Sequence, residues 1–200
     1  MHSPSLRTRK LAIFTVGPAA ILVAGLLVWH GSVEAFSAQT SNVGNNWSTG
    51  SVTLSDDDAG AAAFTVLNVT PGQTGSRCIK VTSTSTVPGI VKTYIARLGA
   101  QGLENNITIA TQEGSGGSFA SCSGFVATSS LPAMPLATAA ATITNYSTGV
   151  LPWATTGVSG ESKTYEVTWT FDTTGLSQTA IDALQGKSVS ADVVWELQSN

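Results

Sequence analysis

Hydrophobic and polar residues change rhythm along this chain. From Leu11 to Trp29 the residues are mostly apolar, and from about residue 50 they alternate with the period-two pattern of half-buried strands. "GSVTLS" (50–55), "AAFTVLNV" (62–69), "SRCIKVTST" (76–84), "GIVKTYIARL" (89–98) and "NNITIATQ" (105–112) are β-branched runs separated by turn chemistry such as Pro71-Gly72 and Pro88-Gly89. "SKTYEVTWTFD" (162–172) sets Tyr165, Val167, Trp169 and Phe171 against Thr164, Glu166, Thr168 and Thr170, the clearest strand in the chain. "KSVSADVVWELQ" (187–198) closes it with Val189, Ala191, Val193 and Trp195 on one side. Between these last two, "SQTAIDALQG" (177–186) predicts a short helix with Ser177 as cap and Gly186 as stop. Two stretches read less simply. "VKTYIARL" mixes polar and apolar residues on both faces, which suits a strand near a sheet edge or mouth. Residues 131–153 are Ala-rich but carry Pro132, Pro135 and Pro152, which predicts a short helix or an irregular lid, and "EGSGGS" (113–118) reads as a turn. The sum is an all-β, antiparallel, jelly-roll-like sandwich with one or two short helices.

The apolar run in front of this domain changes the picture. Arg7, Arg9 and Lys10 precede it, and the small residues Gly31, Ser32 and Ala35 follow it, the order of a secretory signal peptide over residues 1–35. The alternative is a retained anchor, since the run approaches the roughly 20 residues that span a bilayer; Gly17 and Pro18 argue against a continuous helix. An N-terminal tail (36–46) and a single domain (47–200) would then remain.

Cleavage also removes chemistry. Both histidines, His2 and His30, lie in the leader. The remainder holds six basic residues against eleven acids, a net charge of −5, so it offers no basic patch for nucleic acid. Cys78 and Cys122 are the only cysteines, and export places them where a disulfide forms. A nucleophilic thiol would need a base such as histidine, and two cysteines without histidine make a poor zinc site.

No H-E-x-x-H, G-x-S-x-G or Gly-rich phosphate loop occurs, so the chain reads as a non-enzyme with no cofactor and no metal site. Asp56, Asp57 and Asp58 are contiguous and lack EF-hand spacing, which predicts a solvated turn. Glu166 and Asp172 are the nearest approach to a glycosidase acid pair, and solvated strand charges explain them better.

The layout "EAFSAQTSNVGNNWSTGSVTLS", "NVTPGQTGSRCIKVTSTSTVPGIVKTYIARL", "YEVTWTFD" and "QGKSVSADVVWELQ" behind an apolar leader resembles the TasA/camelysin family of exported bacterial matrix proteins. The resemblance implies a jelly-roll subunit, secreted after cleavage by a dedicated signal peptidase. It further implies self-assembly into extracellular or cell-surface fibres by lending an N-terminal strand to a neighbour. The family's cleavage point falls just before Ala35, whereas the small-residue rule puts it just after. On this reading the donor strand is the tail carrying Phe36, Ala38, Thr40 and Val43, which has the reach to complete an open sheet edge in another copy; the alternative is a tail folded back on its own domain. Two other functions stay open. One is a carbohydrate-binding or adhesin module for a matrix or surface polymer, using Trp47, Trp153, Trp169 or Trp195, of which Trp169 and Trp195 read as core. The other is a camelysin-type metalloprotease, which a histidine-free chain serves poorly.

Overall fold

The computed structural model describes residues 37–40 and 51–199. The leader, Phe36, Val43 and Trp47 lie outside the described residues. The described residues fall within one compact unit, Ser37–Asn200.

In chain order the strands are β1 (Ser37–Thr40), β2 (Leu54–Asp56), β3 (Thr74–Ser83), β4 (Gly89–Gln101), β5 (Ile107–Ser115), β6 (Val126–Pro135), β7 (Val150–Thr155), β8 (Glu161–Phe171) and β9 (Ser188–Ser199). Helix α1 (Leu136–Thr142) precedes β7, and α2 (Gln178–Asp182) precedes β9. One sheet has the order β1-β9-β4-β7 and the other β2-β3-β8-β5-β6, with antiparallel pairing throughout. Apart from the β2–β3 and β5–β6 pairs, successive strands cross from sheet to sheet, which produces the interleaved order of a jelly roll with β2 added at one edge.

The alternating residues of the sequence meet between the sheets. Ile79, Val81 and Tyr165 from one sheet pack on Val91, Trp153, Trp195 and Leu197 from the other. Further along, Trp169 and Phe171 join Tyr94, Ile95, Leu103 and the α1 residues Leu136 and Ala139. Tyr165, Val167, Trp169 and Phe171 are all buried, as their period predicts. The Ser177 hydroxyl accepts from the Ala180 N–H and so caps α2, and Gly186 takes φ 71° after it.

Four expectations need correction. First, "VKTYIARL" is in a central strand, flanked by β9 and β7. Its mixed faces arise because Lys92 lies over the Tyr146 ring, 4.9 Å from its centroid, and because the register with β9 shifts between Ile95 and Arg97. Second, "AAFTVLNV" is a loop, not a strand. Asn68 within it and Ala59 and Gly60 just before it take positive φ (56°, 52° and 81°), and its Val66 and Leu67 stay exposed, at 39% and 80%. Third, residues 131–153 do hold the expected short helix, α1, but flank it with the end of β6 and most of β7, and β5 runs on to Ser115 through half of the expected turn. Fourth, Val193 is 38% exposed although its neighbours along β9, Val194 and Trp195, are buried.

Candidate functional site

The two cysteines build the first feature. Gly116 and Gly117 follow β5 with φ of 78° and 69°, letting the chain turn sharply into a connection that leads to β6. This strap carries Cys122 to the bridge with Cys78 on β3, where the Cα atoms stand 5.3 Å apart. Asp57, from the acidic triplet, fastens the same strap. Its carboxylate accepts from the Lys80 N–H and from the Phe119 N–H, each at 2.8 Å. Arg77 adds a third tie: its guanidinium lies 4.9 Å from the Phe119 ring centroid and donates to the Phe119 and Ala63 carbonyls. The triplet is therefore a latch as well as a turn, because Asp58 also accepts from the Gly60 N–H. Burial first, and Asp58 beside it, push the Asp56 carboxyl up to about 6.

One carboxylate and two sulfurs come together at one point. Donor atoms of Cys78, Cys122 and Glu166 lie within 4.8 Å of one another. The two sulfurs are bonded to each other, so they offer no thiolate, and the set does not suit a zinc site. The acid pair from the sequence does not form a glycosidase site either. Glu166 sits beside the disulfide, while the Thr174 side chain first, and then its backbone N–H, which Asp172 accepts from, hold the Asp172 carboxyl low. An ion pair that the sequence did not reveal, between half-buried Lys163 and buried Glu113, joins β5 to β8: Lys163 Nζ lies 3.2 Å from Glu113 Oε1. Burial, then the Glu113 charge, raises the Tyr165 phenol far above its ordinary value, although its hydroxyl falls short of hydrogen-bond geometry.

The second feature is a sheet edge. The candidate donor residues Ala38 and Thr40 lie in β1, opposite Leu197 and Trp195 of β9 in the same chain. Beyond Trp195, β9 continues for seven more residues, Ser188 to Val194, and among the described residues none pairs with it on that side. The other sheet edges are guarded. Strand β7 carries exposed Pro152, β6 carries Pro132, Pro135 and two register shifts, and β2 is three residues long. No helix among the described residues is long and apolar enough to cross a membrane.

The third feature is the space between the sheets beside that edge, a cavity of about 1380 Å³. The 59–73 loop, β9 and the residues around α2 contribute to its lining. Trp153, the tryptophan proposed to stack on sugar, is 7% exposed and belongs to the core, as do Trp169 and Trp195. No protein-family model matches the chain, and no curated protein matches it.

The sequence missed the latch because a contiguous acidic triplet has the same composition whether it is solvated or fastening. Two long-range partners, Lys80 and Phe119, decide which it is. Phe119 is one of few aromatics in a Ser/Gly-rich stretch, and that was the available signal.

Proposed function

We propose that the chain is a secreted structural subunit, of the TasA/camelysin kind, that builds extracellular or surface fibres by exchanging its N-terminal strand between copies. The observation that carries the reading is the placement of β1 at the edge of β9. A strand of four residues joined to its sheet along one side can pair in the same register with β9 of another copy. The guarded edges at β7, β6 and β2 leave β9 as the edge suited to such pairing. The Cys78–Cys122 bridge supports an oxidising destination outside the cell. The adhesin alternative loses Trp153 to the core, and the protease alternative gains no metal-binding set from the described residues.

Phe36 is the largest apolar residue of the tail. If fully buried at a junction, it contributes about 2–3 kcal/mol, so Phe36→Ala weakens each junction roughly 30- to 150-fold. The experiment compares filament yield by negative-stain microscopy for the secreted chain, for Phe36→Ala and for a form beginning at Asn46. Yields in that descending order support strand exchange. Equal yields reject it and leave a monomeric secreted sandwich.

A further inference from the structure

Pairing with β1 uses only one end of the β9 edge. Thr40, the last residue of β1, stands opposite Trp195, and among the described residues Ser188 to Val194 keep a free edge along their whole length. An open strand edge is a template for another strand unless proline, a bulge or uncompensated charge guards it. This stretch has no proline, and the register shift beside it places the extra residue, Ala96, on β4. Its one charged residue, Asp192, is matched by Arg97 of β4 at 2.6 Å. Val193, in line with Val189 and Ala191 by the period of the strand, is left 38% exposed.

The order of its side chains decides which strand fits. About Ala191 the stretch is the same in both directions: valine stands two places away on each side, Val189 and Val193, and a polar residue one place away, Ser190 and Asp192. An antiparallel partner of the same sequence, related by a two-fold axis at Ala191, therefore sets Val189 opposite Val193 twice on one face and Ser190 opposite Asp192 twice on the other. The serine hydroxyl is then a donor to a carboxylate that meets Arg97 on its other side. Neighbouring positions of the axis do worse. At Asp192 it brings two carboxylates face to face, and at Ser190 it sets Val193 against Lys187. The axis at Ala191 also uses every free residue: Ser188 of one copy lies opposite Val194 of the other, so the partner strand stops where β1 begins.

We infer that Ser188–Val194 pairs antiparallel with the same stretch of a second copy, giving a symmetric dimer in which the two β9-containing sheets join into one. The lent strand uses a different stretch of β9, so the dimer forms whether or not β1 is exchanged. Ala191→Cys tests it, because residue 191 meets itself only across such an axis. Directly opposite Cα atoms of an antiparallel pair lie about 4.5–5.5 Å apart, within reach of a disulfide. Oxidised and run on a non-reducing denaturing gel, the full secreted chain with Ala191→Cys gives a covalent dimer, and peptide mapping finds the 191–191 bond. Val158→Cys, at a 64% exposed position between β7 and β8, gives none under the same conditions. Val193→Lys puts a guarding charge on the edge and raises the dimer dissociation constant in sedimentation at least about tenfold. Hydrogen exchange of the unmodified protein, which relies on no variant, shows the amides of 188–194 better protected as concentration rises. Protection that is equal at every concentration assigns the edge to the chain's own residues 41–50, and concentration-dependent protection without a 191–191 bond assigns it to a lent tail. Either result overturns the dimer, as does equal cross-linking of both cysteine variants.

Discussion

Reducing the Cys78–Cys122 bridge frees a closed loop of 44 residues that begins on β3 and ends in the strap before β6. On the chain-entropy relation, a loop of this length restricts the unfolded chain by about 4 kcal/mol at 25 °C. The folded strap keeps other attachments, namely the Asp57 bond to the Phe119 N–H and the Arg77 stack on the Phe119 ring, so reduction is expected to leave the native fold in place. The loss then appears almost wholly as easier unfolding. For a domain of this size, about 4 kcal/mol corresponds to a fall in Tm of roughly 8–16 °C. Calorimetry with and without reductant measures it, and Cys78→Ala with Cys122→Ala should match the reduced protein. A change of Tm under about 2 °C, with thiol titration showing full reduction, would refute the reasoning.

Three other outcomes follow from particular contacts. Asp57→Ala removes the acceptor for the Lys80 and Phe119 N–H groups and should cost about 1–2 kcal/mol, with faster protease cleavage between residues 116 and 125; unchanged cleavage would refute the latch. Asp56 has a folded pKa of about 6 against an ordinary 3.8, so the folded state binds the proton more tightly. Its contribution is therefore greatest below pH 4 and is lost as pH rises through 6; Asp56→Asn should flatten the Tm profile over that window, and an unaltered slope counts against it. Trp153→Ala empties a core position that is 7% exposed and should cost about 3–5 kcal/mol in urea unfolding, whereas a near-neutral effect would return Trp153 to the surface.

Residues whose partners lie on the neighbouring strand face were legible in the sequence. The Tyr165–Phe171 alternation identified β8, and its burial between β3 and β5 needed only period two. Ser177 capped α2 where the sequence placed it. What stayed hidden depended on distant segments. The "AAFTVLNV" run has strand composition, but Asn68 within it and Ala59 and Gly60 just before it take left-handed backbone, and among the described residues it joins neither sheet. Strand β4 looked like an edge because Lys92 and Tyr94 are polar. Lys92 stacks on Tyr146 and Tyr94 donates to buried Glu196, partners 54 and 102 residues away in sequence. Prolines 132 and 135 hid β6 because proline is tolerated on an edge strand, and edge position is a property of the sheet order.

Strand exchange is tested most directly by asking whether residue 37 meets residue 198 in its own chain or in the next. Ser37 and Gln198 face each other across the β1–β9 pair. A chain carrying both Ser37→Cys and Gln198→Cys, oxidised under assembly conditions and run on a non-reducing denaturing gel, reports which pairing occurs. The account predicts a ladder of covalent multimers that collapses to monomer on reduction. A single monomer band, with mass spectrometry finding the 37–198 bridge within one chain, would contradict it.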